Sequence, residues 1–589
     1  MSASLAGAAL GASTALAVAV AICVVNPWFM DAPALWLAAV SAPLTALGAA
    51  AGSLVRRASP RPSGVALALA IVGVLALPAW PRPAPTGDVR LLVYGIDGAT
   101  WDVIDPLRDR LPTIDALRAR GGAATLRSME PLFSPLLWTT MATGRRPEAH
   151  GIHGFHVHAT DCRAARFWDV MHAQGLRVGT WKWLVTWPPT RIGAFQVPAW
   201  LAPEPDAWPE RLRFVKELEL SNRMRRKQVA ARRGYAALAA DGVANGMRLS
   251  TLARGVRAAA LRRFWPDPLR DGLEGQLLRV QIDRDVAIAT IHATNPEVVT
   301  FTDYATDAVG HRYWRYREPA SFPGTDPALV ARWGAALDEA YLQADAVLAD
   351  LLDAVGPQAR VVVLSDHGQK AVDGGAGGHL LTPKTERLAA RLAAEVGPVD
   401  VSRLGHKLVV ALKAADPVAQ RGAVEAWIAA VRVDRTGNPV FRAEPGLGDD
   451  ARSLGLAIVE DGLSPERLGA DRAGGEPLGA FLGAEDGYSG DHHDRGVWIS
   501  AGPGLASGAL PELSILDVAP TLLALVGLPA AADVEGRAPP ALWASAPPEL
   551  PAGPPTWDDL VPVRSFTVLP EGSAGVNEEM LEALGYVAR

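Results

Sequence analysis

Charge-free apolar runs mark the first 80 residues of the chain. They cover residues 5–25, 34–55 and 65–80, and the third is near the lower limit for crossing a bilayer. A cleaved signal peptide would need a basic segment before residue 5, and the sequence has none there. The pattern therefore predicts three transmembrane helices, or two if the third run lies at the membrane interface.

The charges between these runs predict their orientation. Arg56, Arg57 and Arg61 separate the second run from the third, whereas the loop between the first and second carries only Asp31. Because positively charged loops stay in the cytoplasm, the third run would deliver everything after it to the other side of the membrane. We therefore expect a membrane-anchored protein whose soluble part is periplasmic or extracellular.

Beyond residue 85, short apolar runs alternate with amphipathic helical patterns. Strands are predicted at 91–94, within 296–314, within 360–369 and at 496–500, with helices at 111–120, 326–355 and 515–528. This order is typical of an α/β domain with a mostly parallel central sheet and helices on both faces. Segment 203–290 is different, because it is rich in arginine and helix-forming residues without a strong strand pattern. We interpret it as a helical insertion or cap.

Composition limits the number of domains and the kinds of partner. A chain of 589 residues is too long for one core. A net charge of −6 indicates no nucleic-acid polymer as partner, and two cysteines, Cys23 and Cys162, cannot build a Cys-rich metal site. The predicted organisation is a membrane anchor over 1–85, a catalytic domain over 86–545 that contains the insertion, and a Pro-rich strap with a short helix over 546–589.

Acidic and histidine side chains adjoin the ends of the predicted strands. Ligands of open α/β sheets bind at the carboxyl ends of strands, so we expect these side chains to converge. Three carboxylates and three imidazoles are a suitable donor set for a pair of divalent ions such as Zn²⁺. The candidate ligands are Asp97, Asp307, His311, Asp366, His367 and His492.

A serine at a predicted helix start is the candidate nucleophile. Ser134 is followed by Pro135, which is typical of a first helical turn, so the simplest role for Ser134 is a helix cap. The functional interpretation is that its hydroxyl faces a site where the helix N-terminus favours an anion. Between two divalent ions, Ser134 would attack phosphorus.

Five motifs, in this order along the chain, resemble the alkaline phosphatase superfamily. They are GIDG at 95–98, the Ser-Pro segment at 134–144, D-x-x-G-H at 307–311, SDHG at 365–368 and G-x-H at 490–492. Within that superfamily the chain is most similar to the type I phosphodiesterase/nucleotide pyrophosphatase family. The resemblance extends over residues 88–530 apart from the insertion, and it implies an alkaline-phosphatase-like fold.

The resemblance also implies a role for each matching residue. Asp97, Ser134, Asp366 and His367 match one zinc site, with Ser134 as nucleophile, and Asp307, His311 and His492 match the other. His493 is a rival for His492, although the G-x-H-x-x-x-G spacing favours His492. Asp303 has no assigned role, and Mn²⁺ is an alternative to Zn²⁺.

The predicted function is hydrolysis of phosphate esters, most simply as a phosphodiesterase or nucleotide pyrophosphatase. The substrate could be a nucleotide, a lipid head group or a glycan. A membrane-anchored phospho-group transferase is an alternative, because the same nucleophile and metals serve transfer. A sulfatase is disfavoured, since Ser134 lacks a C/S-x-P-x-R context. A non-catalytic envelope protein is also disfavoured, because a degenerate site should have lost some of its ligands.

Overall fold

The computed structural model describes residues 89–559, apart from 156, 191–192, 222–232, 373–378, 405–406, 445–451, 460–466, 474 and 487. The three predicted transmembrane runs and the final predicted helix lie outside these residues. Within the described ranges, no helix has both the length and the apolar character needed to cross a membrane. The membrane anchor and its orientation therefore stay predictions.

Nineteen strands are present in the described part of the chain. They are β1 Leu91–Ile96, β2 Gly122–Arg127, β3 Val178–Trp181, β4 Phe195–Val197, β5 Val298–Asp303, β6 Arg360–Leu364, β7 Gly368–Ala371, β8 His379–Pro383, β9 Val399–Leu404, β10 Lys407–Leu412, β11 Phe441–Ala443, β12 Ser453–Ile458, β13 Arg472–Ala473, β14 Glu476–Pro477, β15 Leu482–Asp486, β16 Gly490–His493, β17 Arg495–Ala501, β18 Gly508–Ala509 and β19 Leu513–Ser514.

Fifteen α-helices accompany these strands in the same described residues. They are α1 Trp101–Ile104, α2 Pro112–Arg120, α3 Ser134–Thr143, α4 Pro147–His150, α5 Phe167–Ala173, α6 Arg213–Glu219, α7 Tyr235–Ala244, α8 Leu249–Phe264, α9 Pro268–Thr294, α10 Ala305–Arg317, α11 Pro327–Trp333, α12 Ala336–Val355, α13 Thr385–Val396, α14 Pro417–Ala430 and α15 Val518–Leu525.

The largest sheet is mixed but mostly parallel. Its strand order is β18-β2-β17-β6-β1-β5-β3-β4, with β19 also paired to β2. Strand β1 pairs in parallel with β5 on one side and β6 on the other, whereas β17 runs antiparallel to β2 and β6. Every residue of β1 and β5 is buried, as expected for strands covered on both faces. The architecture fits an alkaline-phosphatase-like α/β fold.

A smaller antiparallel sheet, which the sequence pattern did not reveal, is formed by chain between strands β6 and β17 of the main sheet. Its strand order is β11-β12-β10-β9. Helices α13 and α14 contribute to its own apolar core, which includes Leu388, Leu392, Val424 and Leu456. Strand β10 alternates buried and half-buried residues, the pattern of a sheet with one face on a core. The catalytic domain predicted over 86–545 therefore contains a second hydrophobic core.

A helical segment forms a separate compact unit. Among the described residues it comprises 211–294 together with 350–356, and it overlaps the insertion predicted at 203–290. Its longest helix, α9, spans 27 residues. Within the unit, buried Asp285 accepts a hydrogen bond of 2.6 Å from Thr251 and pairs with Arg248 and Arg284. Polar contacts between helices α8 and α9 therefore help to hold this unit together.

Candidate active site

The central strand β1 carries the first candidate ligand. Asp97 directly follows this strand and is 1% exposed. A Cβ atom on Gly95 would lie 2.4 Å from the ring of Trp138, so the indole packs directly on the strand where a side chain is missing. From there Trp138 Nε1 donates a hydrogen bond of 3.1 Å to Asp97 Oδ2. The other carboxylate oxygen of Asp97 is left for a different partner.

Asp366 and His367 follow β6, the parallel neighbour of β1. The carboxyl ends of the two strands meet at one edge of the sheet, and both residues are fully buried. His367 Nε2 lies 3.4 Å from Asp97 Oδ1 and 3.4 Å from Asp366 Oδ2. Asp97, Asp366 and His367 each offer a ligand atom, and these atoms lie within 4.8 Å of one another. We call these three residues the first cluster.

Strand β5, on the other side of β1, leads into helix α10. Asp303 ends the strand, where its Oδ1 accepts a hydrogen bond of 2.8 Å from the Ala305 N–H and its Oδ2 accepts one of 3.3 Å from the Tyr94 hydroxyl. Asp303, which had no assigned role, thus connects the strand to the helix start. Asp307 and His311 follow one turn apart on α10, with 3.2 Å between Asp307 Oδ1 and His311 Nε2. The spacing of four residues between Asp307 and His311 in the sequence thus becomes one helical turn.

His492 reaches this pair through strand pairing. Strand β16 runs antiparallel to β7, which begins just after His367, and His492 lies opposite Gln369. His492 Nε2 lies 3.2 Å from Asp307 Oδ1 and 3.1 Å from His311 Nε2. Asp307, His311 and His492 form a second group whose ligand atoms lie within 4.8 Å of one another, and we call it the second cluster.

His493 lies outside both clusters. Successive residues of a strand point to opposite faces, so His493 is directed away from the side that His492 occupies. Its Nε2 is 3.3 Å from Thr100 Oγ1, and its Nδ1 accepts a hydrogen bond of 3.1 Å from the Arg495 N–H. The structure therefore brings His492, and not its neighbour, to Asp307 and His311.

All three candidate histidines direct Nδ1 at a backbone carbonyl. A neutral imidazole that donates through Nδ1 has its lone pair on Nε2, the atom that faces the cluster in each case. The acceptors are Gly490 O at 2.8 Å from His311, Leu132 O at 3.0 Å from His492 and Gly368 O at 3.2 Å from His367. This arrangement prepares each Nε2 to bind a cation.

The two clusters adjoin each other and Ser134. The rings of His367 and His492 stack with centroids 3.7 Å apart. Ser134 is the first residue of α3 and is 1% exposed, and its Oγ lies 3.4 Å from His367 Nε2. The Leu132 carbonyl that binds His492 is two residues before it. The serine hydroxyl and both clusters thus share one buried site at the carboxyl edge of the sheet.

Burial and mutual repulsion perturb the carboxyl groups of this site. Burial raises the pKa of Asp97 well above its usual range, and the charges of Asp366 and Asp307 raise it further. Burial and the Asp307 charge raise the pKa of Asp366 to about 8. Burial also acts to raise the pKa of Asp307, but His311 and His492 outweigh it and hold that pKa well below its usual range. Burial and like charges thus oppose the ionised carboxylates of the first cluster, whereas the histidines of the second cluster stabilise that of Asp307.

The imidazoles respond in opposite directions. Burial, assisted by the charge of His492, lowers the pKa of His367 well below its usual range. Burial acts in the same direction on His492, but hydrogen bonding and attraction to Asp307 raise its pKa to about 9. His367 therefore has its Nε2 lone pair available beside two carboxylates and a hydroxyl.

The residues present fit divalent cations. Among the described groups, Asp97 Oδ1 and both carboxylate oxygens of Asp366 are buried and accept no hydrogen bond. Buried carboxylate oxygens without a donor are costly, and a cation would satisfy them. The donor set of carboxylate oxygens and imidazole nitrogens suits Zn²⁺, and Mn²⁺ to a lesser degree. Each cluster can hold one such ion.

Comparison with known proteins assigns a family to this fold and site. The family model described as type I phosphodiesterase/nucleotide pyrophosphatase matches residues 91–385. The chain belongs to this family. This family is part of the alkaline phosphatase superfamily. The family is metal-dependent and acts on phosphodiester substrates. A search of curated proteins finds no match to the chain.

The family match contains five of the six candidate ligands and Ser134. His492 lies more than 100 residues beyond the matched range and reaches the site only through the pairing of β16 with β7. The sixth candidate ligand thus comes from the part of the chain that the match does not cover.

Two residues that contact the candidate ligands were missed in the sequence. Gln369 donates from Nε2 to Asp307 Oδ1 at 2.6 Å and to the Asp307 carbonyl at 3.0 Å. Trp138 holds Asp97, as described above. Gln369 directly follows the SDHG motif, and Trp138 is one helical turn after Ser134. Proximity to the motifs was the only sequence signal that could have identified them.

Proposed function

We propose that this protein is a metal-dependent phosphodiesterase with Ser134 as its nucleophile and two divalent ions, of the Zn²⁺ type, as cofactors. Asp97, Asp366, His367 and Ser134 would hold one ion, and Asp307, His311 and His492 the other. The proposal is supported chiefly by the convergence of two three-ligand clusters beside one buried serine hydroxyl. Family membership supports the reaction class.

The chain's own residues account for the course of the proposed reaction. The ions, when bound, would lower the pKa of a neighbouring hydroxyl and neutralise charge on the phosphate. Ser134 Oγ attacks phosphorus, so that an Oγ–P bond forms while the P–O bond to the leaving alcohol breaks. The alcohol takes the proton that the serine gives up. Water then cleaves the Oγ–P bond and restores the hydroxyl.

Helix α3 orients the nucleophile and the phosphate. Its first N–H groups have no acceptor within the helix, and the positive end of its dipole favours an anion. Because Ser134 is the first residue of this helix, an attacked phosphate would lie near those N–H groups. Trp138 and Gln369 act as positioning residues, since they hold the carboxylates of Asp97 and Asp307.

Hydrolysis of a bis-aryl phosphodiester by the full chain tests the proposal. Ser134→Ala is expected to abolish turnover while the metal content stays at about two ions per chain. Thr139→Ala is the matched control, because Thr139 lies on the same helix and its buried hydroxyl donates to the Pro135 carbonyl at 2.7 Å. Retained turnover in Ser134→Ala, or full activity in a preparation without divalent ions, would refute the mechanism.

A phospho-group transferase is the second candidate function. The apolar runs of residues 5–80 favour it, because a membrane anchor would bring the site close to lipid-linked acceptors. We further propose that the catalytic part lies outside the cytoplasm, and a reporter fused after Trp80 should then behave as exported. If phosphodiester cleavage requires an added alcohol acceptor and the phospho group appears on that acceptor, transfer replaces hydrolysis as the function.

A further inference from the structure

Helix α8 of the helical unit ends in an exposed aromatic pair. Phe264 and Trp265 are 66% and 67% exposed, and their ring centroids lie 6.0 Å apart. The adjacent residues Arg262 and Arg263 are also exposed, and the Arg263 guanidinium is 5.7 Å from the centroid of the Phe264 ring. The exposure of two neighbouring aromatic side chains to water is unfavourable, and a partner surface that covers them would remove this cost.

A basic pocket opens on the same helix. The cavity has a volume of about 510 Å³, and its walls include four arginines and two hydroxyl side chains, namely Arg248, Arg254, Arg257, Arg284, Ser250 and Thr251. No residue of the first or second cluster is among the residues that line this pocket. Guanidinium groups are the donors that bind phosphate oxygens best, and the Ser250 hydroxyl can add one more, whereas the Thr251 hydroxyl already donates to Asp285.

The carboxylates around this pocket do not offset its positive charge. Arg254 pairs with Glu274 at 3.0 Å, and Arg248 and Arg284 share Asp285 and Asp350. Arg257 is exposed, and among the described residues no carboxylate forms an ion pair with it. Four arginines thus face three carboxylates, and the pocket keeps an excess positive charge for an anionic ligand.

The pocket and the aromatic pair belong to one surface. At 100° per residue, Ser250, Arg254, Arg257, Leu261 and Phe264 fall within an arc of about 80° on helix α8. Phe264 is seven positions after Arg257, which corresponds to about 10 Å along the helix axis. The pocket and the aromatic pair are therefore close enough to contact one membrane surface at the same time.

We propose that this face of α8 docks on the surface of an anionic phospholipid membrane. The phosphate of a lipid head group enters the arginine pocket, and Phe264 and Trp265 insert at the interface between head groups and acyl chains. Charge complementarity selects anionic lipids, and aromatic side chains favour this interfacial region. A free phosphate ion would occupy the pocket but would leave the aromatic pair in water.

A site-specific fluorescent label tests the docking in the full chain. Trp265→Cys carries an environment-sensitive dye in a Cys23→Ser background, where the remaining Cys162 is buried. The labelled protein is reconstituted into phosphatidylcholine vesicles with or without phosphatidylglycerol, and a second set contains lipids with brominated chains that quench the dye. Val418→Cys, at an apolar residue that is 73% exposed on α14, is the matched control.

Docking predicts a blue shift and quenching for the label at 265 that depend on phosphatidylglycerol, and neither effect for the label at 418. Adding Arg257→Glu changes the local charge by two units and should weaken docking by about tenfold or more, so that most of the response disappears. Equal responses in both lipids, equal responses at both labels, or an unchanged response in Arg257→Glu would overturn the proposal. Binding of inorganic phosphate that requires Arg257, with no response to vesicles, would indicate a soluble anion as the ligand and would also overturn it.

Discussion

Replacing Trp138 by phenylalanine should weaken the binding of the metal ion at the first cluster. The substitution removes the donor that holds Asp97 Oδ2 at 3.1 Å and leaves space above Gly95, where the indole packs closely. Asp97 then loses the contact that orients its second oxygen towards His367, which lies 3.4 Å away. The Asp97 side chain gains conformational freedom in the metal-free protein, and it loses this freedom again when a cation binds.

The size of the effect follows from the kind of contact that is lost. A buried hydrogen bond to a charged group contributes about 1.5–3 kcal/mol, which corresponds to about 10–100-fold in an equilibrium constant. Outer residues that hold metal ligands have effects of the same size on metal affinity. We therefore expect the dissociation constant of one of the two ions to rise by about 10–100-fold in Trp138→Phe.

Trp183→Phe is the matched control for the loss of an indole. Trp183 is as fully buried as Trp138, packs edge-on against it with centroids 4.9 Å apart, and donates its N–H to the Trp138 carbonyl at 2.9 Å. Both variants leave a small cavity and lose one hydrogen bond, so each should lower the free energy of unfolding by about 2–4 kcal/mol. Only Trp138 contacts a candidate ligand.

Competition with a chelating dye measures the metal affinity of each variant, and denaturant titration of the metal-free proteins measures stability. The reasoning predicts similar losses of stability but a selective loss of metal affinity in Trp138→Phe. Equal metal affinities in the two variants would show that the Trp138 contact does not support the metal site. A greater loss of metal affinity in Trp183→Phe than in Trp138→Phe would lead to the same conclusion.

Three other features give outcomes that can be measured. His492→Ala should reduce the content of divalent ions from about two per chain to about one, whereas His493→Ala should leave it unchanged, as elemental analysis would reveal. Asp169→Asn should lower the free energy of unfolding by about 3–5 kcal/mol in urea titrations, because Arg166, 2% exposed, loses its buried partner at 2.8 Å; a loss below about 1 kcal/mol would contradict this. Burial lowers the pKa of His150 to about 3, so below a pH of about 6.5 the unfolded chain takes up a proton that the folded chain does not. The contribution of His150 to stability is thus complete above that pH and falls by about 1.4 kcal/mol per unit as the pH decreases towards 3, a slope that His150→Asn should remove from the pH dependence of unfolding.

Local patterns were sufficient to find most of the candidate site. Asp97 and the pair Asp366–His367 could be recognised because they directly follow continuous apolar runs, and parallel strands end at a common edge. Asp307 and His311 could be recognised because a spacing of four residues becomes one helical turn. In each case the relevant geometry is set within about ten residues of chain.

The antiparallel sheet β11-β12-β10-β9 was missed because its geometry is not set within a short stretch of chain. Its strands are separated by helix α14 and by connecting segments whose lengths do not reveal which strands pair. Which strands pair depends on the hydrophobic core that they share, and here that core contains Leu408, Val410 and Leu456. That choice depends on packing between segments and leaves little trace in any single stretch of sequence.

The sequence by itself determined the chemical nature of the site: three carboxylates, three imidazoles and one serine at the ends of predicted strands and helices. Only the tertiary structure decided how they meet. The register of β16 on β7 directs His492 towards Asp307 and turns His493 to the opposite face, and the missing side chain of Gly95 lets Trp138 reach Asp97. Strand pairing and close packing join residues far apart in the chain, and neither a periodicity nor a motif records which surfaces will touch.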